Sequence, residues 1–238
     1  RGEFGNSWRV VQGIPVYDLV SEAVPYTGIL LLAALVPSIL GSAATAAGVM
    51  PRRLDWLWQL IGLAPAVILA LFAAARIEIG FGAQSYSGLP MTLRMLAGAS
   101  VLVLADGAFA SAVAGTRATF DEELKQRYVH IAALRGESVF LNSLPNVLPA
   151  LVGQLRARIL HLLSGTVVVE VVLGIPGIGD LLFDGTLLQD FGVVLAATWA
   201  YSLLSATVLL FHSAVELAHG LWVRRHPHLE DVAPAVAR

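Results

Sequence analysis

Cysteine is absent from the 238 residues, which removes disulfide frameworks, zinc knuckles, iron–sulfur clusters and thiol nucleophiles together. Lysine occurs once, as Lys125, so the Lys-Ser/Thr pair of a Walker A loop cannot be present and no P-loop occurs anywhere in the sequence. Charge of either sign is scarce: 15 Lys plus Arg and 17 Asp plus Glu make up 13% of the chain, about half the share of a soluble domain. The net charge of −2, with cations scattered in short groups, provides no stripe for a nucleic-acid backbone. No nucleophile elbow, His-Glu-x-x-His pair or carboxylate dyad occurs, so catalysis by this chain is unsupported.

What is there is apolar. Hydrophobic residues make up 57% of the chain and the mean hydropathy is +0.74. No charge falls between Tyr26 and Met50, between Leu57 and Ala75, or between Phe191 and Val215, and each run approaches or exceeds the roughly 20 residues a spanning helix needs. Two further runs are each interrupted by one acid: Met95 to Gly115 contains Asp106, and Ile159 to Ile175 contains Glu170. The pattern predicts an all-α, polytopic helical membrane protein with about five transmembrane helices.

The loops alternate in cation density. Arg52 and Arg53 lie in the first; Arg117, Lys125, Arg127 and Arg135 in the third, with Arg156 and Arg158 at its edge; Arg224 and Arg225 open the tail. The second has only Arg76 and Arg94, and the fourth carries Asp180, Asp184 and Asp190 with no cation. The positive-inside rule then puts the first loop, the third loop and a tail of 224–238 in the cytoplasm, with residues 1–25 outside and 26–223 as the membrane domain. An outer N-terminus beginning with Arg1 suggests an upstream translocated span or leader. Within 1–25, Val16, Leu19, Val20 and Ala23 recur at helical spacing between Pro15 and Pro25, which predicts a short amphipathic helix on the outer surface.

The third loop, 116–149, carries the strongest local pattern. Thr119-Phe-Asp-Glu122 has the form of a capping box, three acids in succession suit the positive end of a helix, and Gly136 stands where a left-handed terminating residue is wanted. One helix over 120–135 is predicted, with Phe120, Leu124, Tyr128 and Ile131 on a single apolar stripe.

Tyr128-Val-His-Ile-Ala-Ala-Leu-Arg-Gly136 followed by Asn146-Val-Leu-Pro149 resembles the EAA loop of ABC importer permeases. Ala132, Gly136, Leu148 and Pro149 match the general motif, while His130, Ile131 and Asn146 replace its Glu, first Ala and Ile. Those departures, with Tyr128 and Val129, are similar to the dipeptide/oligopeptide/nickel branch. Val167-Val-Val-Glu-Val-Val-Leu-Gly-Ile-Pro-Gly-Ile-Gly179 and Gln189-Asp-Phe-Gly-Val-Val194 resemble two further segments of that branch, with Leu173 replacing an aromatic and Phe191 a Tyr.

The resemblance implies a type I ABC importer permease fold, whose first helix of six precedes an outer segment like 1–25. It implies a subunit of the bacterial inner membrane that works with a second permease, a paralogue in this branch, two cytoplasmic ATPase subunits and an extracytoplasmic solute-binding protein. ATP and Mg would bind on the ATPases, leaving this chain without a cofactor, and the solute would be a peptide, nickel or a glycoside. The ATPase-coupling residues would be Phe120, Leu124, Tyr128, Ile131 and Ala132 as a docking face, Gly136 as a sharp turn, and Asn146 and Pro149 closing the motif.

Other residues admit more than one reading. Asp106 and Glu170 either line a pathway or hydrogen-bond between helices, and in an ion-coupled secondary transporter they would carry protons. Gly174, Pro176, Gly177 and Gly179 form either an outer turn for a binding protein or a simple helix stop. His212, Glu216 and His219 share a helix face but are read as interfacial polar residues, not as a metal site. A non-transporting scaffold anchoring a soluble partner through 120–135 is the remaining alternative.

Overall fold

The computed structural model describes residues 4–81 and 91–225. Residues 226–238 of the expected tail, with His226 and His228, lie outside the described residues, as does the centre of the second loop. Among the described residues there is no strand, only an isolated bridge between Asn6 and Pro15. Nine α-helices follow in order: α1 (Val16–Ala46), α2 (Asp55–Gly62), α3 (Ala66–Phe81), α4 (Met91–Leu104), α5 (Ala108–Glu123), α6 (Arg127–Leu134), α7 (Val139–Leu173), α8 (Ile178–Leu187) and α9 (Phe191–Arg225).

Three stretches are long and apolar enough to cross a bilayer as they stand: α1, α4 with α5, and α9. Two bent pairs, α2–α3 at 82° and α7–α8 at 67°, raise the number to five when each pair counts as one span. That is the expected count. Helices satisfy their own backbone, so breaks at membrane depth need outside partners for the freed groups.

The outward faces are greasy. Ile29, Leu32, Val36 and Leu40 of α1, and Trp199, Leu203, Leu210 and Phe211 of α9, are all exposed, an arrangement that suits lipid or another apolar subunit and not water. The interior is built on α7, which packs on α1, α3, α4, α5, α6, α8 and α9. Leu30 and Ala34 of α1, Val101 and Leu102 of α4, and Leu162 and Val169 of α7 form the centre of the core.

Two sets of contacts assign the loops to opposite ends of α1. At one end Arg117 donates to Asp55 at 2.8 Å and to the Met50 carbonyl at 2.9 Å, joining the first and third loops. At the other, residues 7–10 bind Asp190, joining the N-terminal segment to the fourth loop. The grouping matches the alternation of cations along the chain.

Two local expectations change. Residues 16–25 are not a separate surface helix: α1 runs unbroken through Pro25 and Pro37, because Val16 packs on Val193 and Ala196 of α9 and Ala23 on Ile178 and Ala197. The end of the expected loop 116–149, from Val139 onward, is helix, the start of the 35-residue α7, which contains Pro145 and Pro149. Neighbouring helices and polar side chains make such prolines tolerable in membrane helices. Arg158, at the edge of that loop in the sequence, is tied to the neighbouring helices. It donates to Ser42 of α1 at 2.9 Å, to the Ala112 carbonyl of α5 at 3.1 Å and to Gln154 at 3.0 Å.

Candidate functional site

The predicted helix over 120–135 is two helices. α5 starts at Ala108 and continues through Thr119, whose hydroxyl donates to the Gly115 carbonyl at 2.9 Å and accepts from Gln154 at 2.9 Å. The capping box is therefore not a cap, since the chain is already helical when it arrives. A turn over 124–126 follows, with Gln126 extended at φ −70° and ψ 141° before α6.

The single apolar stripe is divided accordingly. Phe120 stacks on Phe140 of α7 with centroids 5.8 Å apart and planes 9° from parallel. Val129 and Ala132 are buried where α6 packs on α7. Tyr128 also turns inward: its hydroxyl donates to Glu123, while the Asn146 side-chain amide donates to that hydroxyl at 2.7 Å and to Glu123 Oε1 at 3.0 Å. Burial first, and the hydrogen bond to Glu123 second, push the Tyr128 phenol up to about 12, so it remains a donor at physiological pH.

This leaves Arg127, His130, Ile131 and Leu134 as the outward face of α6, all exposed, with Leu134 at 86%. Of the expected docking face, Leu124 and Ile131 are exposed, while Phe120, Tyr128 and Ala132 are engaged within the chain. Glu123 is the partner that sequence reading missed; its spacing of five from Tyr128 was hidden by treating it as first-turn acid.

Gly136 ends α6 as expected, at φ +73°. Its N–H donates to the Ala133 carbonyl at 3.0 Å and the Glu137 N–H to the Ala132 carbonyl at 3.0 Å, the bonding pattern of a Schellman stop. Pro149 lies within α7 and, with Leu148, Val152, Val215, Glu216, His219 and Gly220, lines a cleft of about 250 Å³ between α7 and α9. His212 Nε2 stands 3.3 Å from Glu216.

Both acids inside apolar runs serve as caps for other helices. Asp106 adopts φ 51° and ψ 21° between α4 and α5. Its carboxylate accepts the Ala66 N–H at 3.3 Å, at the start of α3, and its own N–H donates to the Ala64 carbonyl at 3.1 Å. The two breaks thus lock together, and they are close enough that a Cβ on Gly62 would lie 2.6 Å from the Gly107 Cα. Glu170, wholly buried, accepts the Gly179 N–H at 2.6 Å at the start of α8, and Thr27 of α1 accepts the adjoining Ile178 N–H at 2.8 Å. A carboxylate at a helix N-terminus satisfies orphan donors and faces the positive end of the dipole.

The bend Gly174–Gly179 is only half an outer turn. Gly174 and Pro176 are exposed, but Gly177 and Gly179 are buried, because a Cβ on Gly177 would meet the Glu170 carboxyl carbon at 2.2 Å and one on Gly179 the Val167 Cα at 2.6 Å. The glycines make room for the capping acid.

A third acid works similarly at the end of the bundle that holds the N-terminal segment. Asp190 Oδ2 accepts the Ser7 hydroxyl at 2.7 Å and the N–H groups of Trp8, Arg9 and Val10 at 2.8, 3.0 and 3.4 Å, while Oδ1 faces the Val193 N–H of α9 at 3.4 Å. Burial pushes this carboxyl up, but the bonds from Ser7, Arg9, Trp8 and Val10 outweigh it and hold it at about 2. An Asp immediately before an apolar helix is the signal that could have located it.

A helical bundle with two broken spans, and a short helix held across one end with one face exposed, defines a polytopic helical membrane protein. The chain belongs to the family of binding-protein-dependent transport system inner membrane components, which it matches over residues 10–218. It is 26% identical over 214 residues to the oligopeptide transport system permease protein OppB of Salmonella typhimurium, covering 83% of this chain and 68% of the relative. It is 28% identical over 220 residues to the glutathione transport system permease protein GsiC of Shigella flexneri, covering 85% and 69%. Against the dipeptide transport system permease protein DppB of Bacillus subtilis it is 30% identical over 122 residues, covering 50% and 39%. The protein is a permease subunit of an ABC importer in the bacterial inner membrane. The resemblance in the coupling loop pointed to the right family, and the secondary-transporter reading is not favoured.

Proposed function

We propose that this subunit forms half of an import pathway for peptides, with a second, paralogous permease forming the other half, and that α6 is the handle gripped by one of two cytoplasmic ATPase subunits. ATP and Mg bind on those ATPases, an extracytoplasmic binding protein delivers the solute, and this chain carries no cofactor. The observation that carries the reading is the division of α6 into a face buried on α7 and a free face of Arg127, His130, Ile131 and Leu134. Leu124 lies at the preceding turn and extends the exposed apolar area. The peptide class is supported by the relatives, named as permeases of oligopeptide, glutathione and dipeptide transport systems.

ATP-driven closure of the ATPases would favour one arrangement of the permease by binding it better than the other. The test is a cysteine at Ile131, unique in a chain with none of its own, cross-linked in membranes containing the complete transporter. Capture of an ATPase subunit supports the proposal. Capture from Val129→Cys but not Ile131→Cys would reverse the assigned faces, and capture from neither would remove the handle altogether.

A further inference from the structure

We infer that the Glu123–Tyr128–Asn146 triad is the joint that transmits movement of α6 into α7, a positioning device distinct from the face that meets the ATPase. The inference rests on the proposed role of α6 and adds the residues through which that role acts.

The triad draws on all three elements that meet at this corner. Glu123 is the last residue of α5, Tyr128 lies in the first turn of α6, and Asn146 lies two turns into α7. Asn146 donates to both of the others, at 2.7 and 3.0 Å, and Tyr128 donates to Glu123, so each member touches the other two. Val129 and Ala132 of α6 are buried apolar residues on a helix that packs against α7. Apolar burial is non-directional and permits sliding, whereas a closed set of hydrogen bonds fixes both distance and register. The stacked Phe120 and Phe140 rings bracket the corner from the α5 side.

What α7 receives there, it can carry far. It continues from Asn146 to Leu173 as one helix, and near its end Glu170 caps α8 while Gly174 holds Arg94 at 3.0 Å. At roughly 1.5 Å per residue the path from Asn146 to Glu170 is about 36 Å. Val129 and Ala132 are buried while Ile131 and Leu134 are exposed, so one face can be gripped while the other holds α7.

The complete transporter, with a single cysteine in place of exposed Ser164 in the middle of α7, is reconstituted in vesicles and the rate of thiol labelling is compared with and without ATP plus vanadate. No solute is required. In the otherwise unaltered chain the nucleotide is expected to change the labelling rate, and in Tyr128→Phe and Asn146→Leu that change is expected to vanish. Glu123→Gln keeps an acceptor oxygen and should restore most of the response, whereas Glu123→Ala should abolish it. Because the two losses interrupt one joint, the Tyr128→Phe, Asn146→Leu double variant should be no worse than the worse single one. A response in either single variant equal to that of the unaltered triad overturns the joint, as does a position 164 that ignores nucleotide in the parent. Cross-linking at Ile131 is measured in parallel: ATPase capture with an unchanged labelling response sinks the joint alone, whereas absence of capture sinks the handle.

Discussion

Glu170 reaches across the bend between α7 and α8 to accept the Gly179 N–H at 2.6 Å, and the residue between them in the turn, Gly177, has no room for a side chain. The acid inside the apolar run is thus tied to the glycine-rich segment that follows it. Unpaired, a buried N–H costs about 1–3 kcal/mol, and the glycines allow the carboxylate to approach that closely.

Gly177→Ala is accordingly expected to destabilise the protein by about 1–3 kcal/mol, the usual cost of overpacking a filled site. Gly153→Ala provides the control, since nothing lies within 4 Å of its would-be Cβ in the middle of α7 and an Ala there gains about 0.5–1 kcal/mol of helix propensity. Thermal unfolding in detergent should move in opposite directions for the two. Equal shifts would mean that the Glu170 contact contributes nothing.

At Gly136 the constraint is conformation alone, because φ is +73° and the space around a Cβ is open. Substitutions should rank by their tolerance of the left-handed region and not by size. Asn, which visits that region readily, should retain most of the transport, while Val should lose most of it, at a cost of roughly 1–2 kcal/mol in the turn. Gly136→Asp should be intermediate and insert normally. Transport by Gly136→Val equal to that by Gly136→Asn would show that α6 can tolerate a reoriented exit.

The spans, their number and the grouping of loops were legible because apolar runs and cation counts are properties of consecutive residues. The coupling corner was only half legible. Thr119-Phe-Asp-Glu122 satisfies a capping pattern, but whether a helix begins there depends on what precedes it, and α5 was already under way from Ala108. For Asp106 and Glu170 a bond between helices was one of the two roles the sequence allowed, but the helix each caps was not legible: Ala66 is 40 residues from Asp106, and Gly179 is 9 from Glu170. Local spacing rules describe the helix a residue occupies, not the end of another helix packed against it.

Asp190 should make the outer segment sensitive to acid. Its carboxyl is held at about 2, below the ordinary 3.8, so the folded state favours the charged form; the stabilisation is fully present above the unfolded value and fades as pH falls through about 2. With Trp8 kept as the sole tryptophan, its fluorescence is expected to report release of residues 7–10 over that interval. Asp190→Asn should remove the transition, since it cannot ionise. An identical acid transition in Asp190→Asn would assign the effect to another group.

Asp106 separates the two readings of intramembrane acids most cleanly. A proton carrier must ionise, so Asp106→Asn would stop transport. A cap needs only an acceptor oxygen and a tolerance of φ 51°, and Asn supplies both because its short polar side chain is accepted in the left-handed region. Asp106→Asn is therefore expected to transport nearly as well as the parent. Asp106→Ala loses both the bond to the Ala66 N–H and the conformational tolerance, each worth about 1–2 kcal/mol, and should unfold at lower temperature and transport poorly. Transport abolished by Asn, with thermal stability intact, would take Asp106 out of the cap and put it in the pathway.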